Sequence, residues 1–405
     1  MILSYQLLLF LLLPVFMGIS LKQYFNNKER LYLWQRFGLK LPETDKPVCF
    51  HCASVGEINA AMPLIRLYHE KHPQQALLVT TNTVTAARIC RQRMDFVSHC
   101  FLPLDYRLCN RLFLKKIRPQ KLIILETEIW PNLFQQCHQH NVPVSIINAR
   151  LSKKTLNTNS WIRNIYKKTL PYVGNIYCRS AADASAYKTI GADSKQLQVI
   201  GNIKFSLTVA HTADNKNLIN RAYVLAASTR EGEEKRILEI WNQTQHKDLL
   251  LVIAPRHPQR KQEIINDITA HCKALAVRSL KQGITGQTDV YLADTIGELT
   301  ALLQHAEFVI MGGSFVTKGG HNILEPAVFS KAIIYGPSME NFADENALFL
   351  ENNAAIQVTD NAQAVDQINR LIADITIRQQ LGSNAKALIV RNSDMAERYL
   401  QKICD

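Results

Sequence analysis

Pro47-Val48-Cys49-Phe50-His51-Cys52-Ala53-Ser54-Val55-Gly56-Glu57-Ile58 begins as an apolar run too short for a helix. It passes, through a tight turn at Ser54 and Gly56, into an amphipathic stretch over 58–70. A strand that turns at once into a helix is the start of a βα unit. The pattern repeats downstream: apolar runs at 77–81, 122–126, 144–147 and 175–178 predict strands, with helical patterns such as 131–139 between them. Around 201–215 the pattern gives way to polar residues. A second series follows, with strands at 223–227, 249–254, 290–293, 308–311 and 332–335 and helices at 232–241, 259–271, 324–328 and 374–403. Such alternation predicts α/β architecture with parallel sheets covered on both faces. The chain reads as two doubly wound, Rossmann-like halves joined near residue 210. Ligands bind such sheets at the carboxyl ends of strands, so the expected active site is a cleft between two facing domains.

A chain of 405 residues accommodates two domains, and its 47% hydrophobic and 20% charged content is that of a globular protein. The net charge of +13 suggests a polyanionic partner: nucleic acid, anionic lipid or a phosphorylated substrate. Scattered basic residues and the lack of any nucleic-acid-binding module signature argue against the first. Nine cysteines without disulfide-like spacing fit reduced thiols in a cytoplasmic compartment. Cys49 and Cys52 have CxxC spacing. On one strand they would point to opposite faces, and no second pair completes a zinc site.

Residues 1–21 carry no charged side chain and are apolar over 7–17, while Lys22, Lys28, Arg30, Arg36 and Lys40 follow. About 20 apolar residues can span a bilayer, and basic residues after the span keep the rest cytoplasmic. An uncleaved N-terminal anchor is expected. A helix lying in the membrane interface is the alternative, favoured by Pro14.

Chemistry-bearing residues gather after predicted strands. Glu57 is placed to act as a general base, or else as a first-turn carboxylate favouring the helix dipole. Glu126 and Glu128 in Glu126-Thr127-Glu128-Ile129-Trp130-Pro131-Asn132 are costly if buried, which points to a site; helix-start charges before Pro131 are the alternative. Lys204 in Gly201-Asn202-Ile203-Lys204-Phe205 could neutralise a phosphate or carboxylate, or simply sit in a linker. Arg256 in Ala254-Pro255-Arg256-His257-Pro258 suits a phosphate or a planar base. Asp294-Thr295-Ile296-Gly297-Glu298 again ends a strand before a helix. Met311-Gly312-Gly313-Ser314-Phe315 and Lys318-Gly319-Gly320-His321-Asn322-Ile323-Leu324-Glu325 let backbone approach a ligand, and Glu325 suits a ribose diol. No GxxxxGK[ST], GxGxxG or Asp-x-Asp occurs and the histidines are unclustered, so neither a cofactor nor a catalytic metal is expected.

Together these motifs, with Asn148-Ala149-Arg150-Leu151-Ser152 and Ser228-Thr229-Arg230-Glu231-Gly232-Glu233, resemble the 3-deoxy-D-manno-octulosonic acid (Kdo) transferases of lipopolysaccharide assembly over nearly the whole chain. The resemblance implies a GT-B fold, a CMP-Kdo donor and a lipid A precursor (lipid IVA) as acceptor at the bacterial inner membrane, with no nucleic acid as partner. It implies Glu57 as base, Glu126 and Lys204 near the reacting centre, and Pro255, Arg256, Ile296, Gly297, Glu298, Asn322, Ile323, Leu324 and Glu325 around CMP. It divides the chain into an anchor at 1–21, an acceptor domain at 22–210 and a nucleotide domain at 211–405. The rivals are a GT-B enzyme using a UDP-sugar and a non-catalytic protein of degenerate transferase fold.

Overall fold

The computed structural model describes residues 3–27, 29–151, 153–206, 217–245 and 249–404. The chain forms two units: Met1–Ser206 together with Asp394–Asp405, and Leu207–Ser393. The expected junction near residue 210 lies outside the described residues, as do Lys28 and Ser152.

In the first unit, seven parallel strands are β1 (Val48–His51), β2 (Leu77–Thr81), β3 (Ser98–Phe101), β4 (Lys121–Leu125), β5 (Val144–Ala149), β6 (Asn175–Cys178) and β7 (Leu197–Val199). Their order is β3-β2-β1-β4-β5-β6-β7, so the winding direction reverses between β1 and β4. Both strands are apolar apart from His51 at the end of β1 and Lys121 at the start of β4, because helices cover both faces. Leu122 to Leu125 are almost wholly buried, each side chain stabilising by about 2 kcal/mol. Alternate residues enter separate cores: Cys49, Leu122 and Ile124 on one face, Phe50, Cys52, Ile123 and Leu125 on the other. The CxxC cysteines thus lie on opposite faces as expected from strand geometry, and all nine cysteines are unpaired thiols.

The second unit holds β8 (Tyr223–Thr229), β9 (Leu250–Pro255), β10 (Leu275–Val277), β11 (Val290–Leu292), β12 (Phe308–Met311), β13 (Ala332–Tyr335) and β14 (Ile356–Gln357). Their order is β10-β11-β9-β8-β12-β13-β14, all parallel, with the reversal between β8 and β12.

The expected single helix at 374–403 is two helices, Ile375–Arg391 and Met395–Cys404. Between them Asn392 and Ser393 turn their side chains onto the carbonyls of Leu388 and Val390, competing with helical pairing. Met395–Cys404 belongs to the first unit, which corrects a contiguous 211–405 domain. Its Ala396, Tyr399, Leu400 and Ile403, spaced for one helical face, join the core around Phe50 and Ile58. Tyr399 donates to the Gly201 carbonyl (2.7 Å) and Tyr177 to that of Lys402 (2.8 Å).

The helix Leu3–Asn27 is long and apolar enough to cross a membrane over Ser4–Phe25. One of its faces nevertheless touches the first unit at several points between Tyr5 and Ser20. Tyr5 donates to Asp105 (2.8 Å), the Leu9 carbonyl accepts from Tyr106 (2.6 Å), Phe16 meets the Tyr106 ring edge-on and Ser20 is buried. The opposite face, with Leu7, Leu11, Val15 and Phe25, is exposed. Arg36, one of the basic residues expected to flank the anchor, is buried instead and donates to Asn82 (2.9 Å) and to the Leu102 carbonyl (2.5 Å).

Candidate functional site

Glu57 stands at the third position of the helix Val55–Lys71, whose N-cap is Ser54. Gly56 is inside the first turn of this helix, not in the preceding bend as its sequence suggests. Ser54 Oγ accepts from the Glu57 N–H (3.3 Å), while the Glu57 carboxylate accepts from the Ala53 N–H (2.8 Å) and the Ser54 hydroxyl (3.0 Å). This reciprocal pairing, a variant of the capping box in which the carboxylate reaches the N–H preceding the N-cap, fixes the carboxylate at the carboxyl end of β1. Burial first, and then the charges of Glu126 and Glu128, push its pKa from 4.5 to about 8. The group is thus half-protonated near neutral to mildly alkaline pH, where a general base is most effective.

Glu126 follows β4 with a left-handed backbone (φ 57°), strained for a residue with a Cβ. It is buried, and its carboxylate meets Arg150 Nε at 2.7 Å and Lys204 Nζ at 3.9 Å. Tyr187 donates to its carbonyl (3.1 Å). Asn148, also left-handed (φ 50°), accepts from the Ile203 N–H (3.1 Å) and so holds the short 3-10 turn Ile203–Ser206 that carries Lys204. Glu128 lies 3.7 Å from His51 Nε2 and accepts from Asn82 (3.2 Å). Burial alone would raise its pKa; His51, with Trp130 and Arg36, outweighs this and holds it below the usual carboxylate range. Glu57, Glu126, Glu128, Arg150 and Lys204 therefore form one electrostatic group at the carboxyl ends of β1, β4 and β5.

In the second unit, Pro255 ends β9 and Arg256 is exposed after it. Ile296 is 83% exposed, and Gly297 (φ 96°) turns the chain into the helix Leu299–His305. Glu298 receives a two-pronged contact from Arg278 (2.6 and 3.1 Å) that holds its carboxyl below the usual range. Glu298, Arg278, Thr295 and Tyr291 line part of a cavity of about 730 Å³. Asn322 donates to Glu325 (3.1 Å) at the start of the five-residue helix Leu324–Val328, and Ile323 and Leu324 are buried beneath it. Glu233 is buried, and burial raises its pKa. It accepts four backbone N–H groups: Arg230 (2.8 Å), Gly313 (2.5 Å), Ser314 (3.0 Å) and Phe315 (2.8 Å). A Cβ on Gly313 (φ 70°) would lie 2.7 Å from the His321 ring, so only glycine fits there.

Sequence reasoning assigned no role to Ser54, Arg150, Asn148 or Glu233. Ser54-x-x-Glu57 is itself a capping-box signal. Arg150 and Asn148 stand more than twenty residues from Glu126, and no local pattern links them to it.

Two parallel seven-stranded sheets, each with its own reversal point, make this a GT-B-type fold. The UDP-GlcNAc 2-epimerase of Neisseria meningitidis, solved bound to UDP-GlcNAc, shares it: TM-score 0.61 at 10% identity, covering 88% of this chain and 99% of its own. A family model described as 3-Deoxy-D-manno-octulosonic-acid transferase (kdotransferase) matches residues 28–207. A 3-deoxy-D-manno-octulosonic acid transferase of Haemophilus influenzae is 30% identical over 364 residues, covering 87% of this chain and 85% of its own. One of Bordetella pertussis is 30% identical over 379 residues, covering 89% and 87%. The chain belongs to the 3-deoxy-D-manno-octulosonic acid transferase family and is a glycosyltransferase.

Proposed function

We propose that this transferase moves Kdo from CMP-Kdo to a lipid A precursor by single displacement with inversion, without a metal. The observation that carries the reading is Glu57, a carboxyl raised to about 8 at a strand's end beside Glu126, Arg150 and Lys204. The acceptor's hydroxyl oxygen attacks the anomeric carbon of Kdo, and the carbon–phosphate oxygen bond breaks with its electron pair on CMP. Glu57 takes the hydroxyl proton. Glu126, held between Arg150 and Lys204, keeps Lys204 placed to balance the sugar carboxylate or the departing phosphate.

Residues 22–206 supply the acceptor side in this reading. The second unit supplies the nucleotide side, through Pro255, Arg256, Ile296–Glu298 and Asn322–Glu325. The leaving group bears a single phosphate, which a guanidinium fork can hold where a diphosphate would call for a cation. EDTA should leave the rate unchanged; inhibition reversed by Mg²⁺ would overturn the metal-free mechanism.

The attachment of Leu3–Asn27 to the first unit along one face favours an interfacial helix at the cytoplasmic side of the inner membrane over a spanning one. The basic surface adds attraction to anionic lipid headgroups. The test is transfer from CMP-Kdo to a purified tetra-acylated lipid A precursor, read by mass spectrometry. Mass gain in Kdo increments supports the reading. No gain from a folded, CMP-binding enzyme would discard the acceptor.

A further inference from the structure

Arg230 follows β8 and places its guanidinium between two histidines from separate loops. Its Nε donates to His321 Nε2 (3.1 Å) and its terminal nitrogen to His257 Nε2 (2.7 Å). Both rings therefore accept at Nε2 and carry their proton on Nδ1, so both are neutral. Burial and then the charges of Arg230, Arg256 and His257 push His321 down to about 4. Burial, then Arg230, Arg256 and Arg260, lower His257.

The two buried carboxylates next in the chain, Glu233 and Glu234, are committed elsewhere. Glu233 is taken up by four backbone N–H groups, and Glu234 by Arg260 (3.1 Å) and Thr229 (2.9 Å). Among the described residues, the ion pairs of this unit join Arg260 to Glu234 and Glu263, Arg278 to Glu298, and Arg378 to Glu307; none includes Arg230 or Arg256. Two guanidinium charges without a carboxylate thus stand at the carboxyl ends of β8 and β9, with two imidazoles that serve as acceptors only because no better acceptor is present. Glu233 ties the Arg230 loop to the glycine loop after β12, so this grouping is held by backbone N–H groups donating to one buried carboxylate.

We propose that Arg230, His257 and His321 form the subsite for the donor's phosphate, and that the phosphate displaces both imidazoles from Arg230, freeing them to take up a proton. The inference rests on the CMP-donor reading above. Phosphate oxygens are stronger acceptors than imidazole nitrogens for a guanidinium fork. Once the fork turns to phosphate, each Nε2 faces an anion in place of a cation, which reverses the sign of the dominant charge effect on its basicity. The chemistry uses this reversal. Cleavage turns a phosphodiester with one negative charge into a monoester with two, and an imidazolium drawing its proton from solvent offsets the second charge as it forms.

Calorimetric titration of the full chain in detergent with CMP at pH 7.5, in buffers of differing ionisation enthalpy, tests this. CMP is then close to its dianionic form, its second pKa being about 6. Binding should take up roughly one proton, and cytidine, which lacks the phosphate, should take up none. His321→Gln should reduce the uptake. Arg230→Ala should weaken CMP roughly ten- to hundredfold while leaving cytidine unchanged, which also shows the variant to be folded. CMP binding with no proton uptake, or Arg230→Ala weakening cytidine as much as CMP, overturns the subsite and leaves the donor reading standing. No binding of CMP to the wild-type chain overturns both.

Discussion

Replacing Glu57 by Gln should abolish transfer and, above about pH 5, make the first unit more stable. The folded-state pKa of about 8 lies above the ordinary 4.5, so the folded state binds the proton more tightly than the unfolded chain. That advantage is fully present below pH 4.5 and is lost as pH rises through 8. At 1.36 kcal/mol per unit, ionising Glu57 costs the wild type about 3 kcal/mol at pH 7 and about 5 kcal/mol at pH 9. Glutamine keeps the shape but loses one of the two bonds accepted from Ala53 and Ser54, a cost of about 1 kcal/mol. The two proteins should therefore match near pH 5, and the variant should lead by about 2 kcal/mol at pH 7 and about 4 kcal/mol at pH 9. Urea unfolding followed by tryptophan fluorescence reads this, because Trp34, Trp130 and Trp161 all lie in the first unit. Activity should fall by about 10³-fold, within the range of general-base catalysis, and the wild-type rate should rise with pH to a plateau above 8. A stability difference that stays constant from pH 5 to 9 would refute the raised pKa. Retained turnover in the variant would remove Glu57 as base.

Ser54→Ala should cost about 1 kcal/mol as a lost N-cap and, by removing a hydrogen bond that lowers the Glu57 pKa, move the alkaline rise of the rate to higher pH; an unmoved pH profile would separate the cap from the base. Lys204→Ala should lower kcat by about 10²-fold with CMP affinity unchanged, measured by steady-state kinetics and CMP titration; a pure rise in KM would make it a binding residue. Arg256→Ala should weaken CMP by about tenfold in calorimetric titration; unaltered affinity would displace the proposed nucleotide site.

The central strands of both sheets were legible in the sequence because burial on two faces leaves continuous apolar runs. The four strands it did not reveal, β3, β7, β10 and β14, are the four sheet edges. An edge strand is short and partly solvated: β3 reads Ser98-His99-Cys100-Phe101, and β14 has only Ile356 and Gln357. Glu57, Glu126 and Lys204 could be singled out because charged residues after apolar strands are conspicuous. The cage around them could not. Arg150 and Tyr187 reach Glu126, and Asn148 reaches the Lys204 turn, only through the tertiary fold, and the left-handed backbone of Glu126 has no sequence signature in a residue other than Gly or Asn. The break at Asn392–Asp394 looks like ordinary polar helix surface, although the spacing of Ala396, Tyr399, Leu400 and Ile403 is that of a buried face.

The placement of Met395–Cys404 in the first core bears on how the chain is made. During synthesis, residues 3–206 emerge with Phe50, Ile58 and Tyr177 still lacking the helix that covers them, and the whole second unit is translated before that helix appears. The second unit is contiguous in sequence and can close as soon as it leaves the ribosome. The half translated first must therefore be finished last, holding an unsealed apolar surface beside an already exposed apolar N-terminal helix for the time needed to make some two hundred residues. A ribosome stalled before residue 395 should present this half as a chaperone substrate.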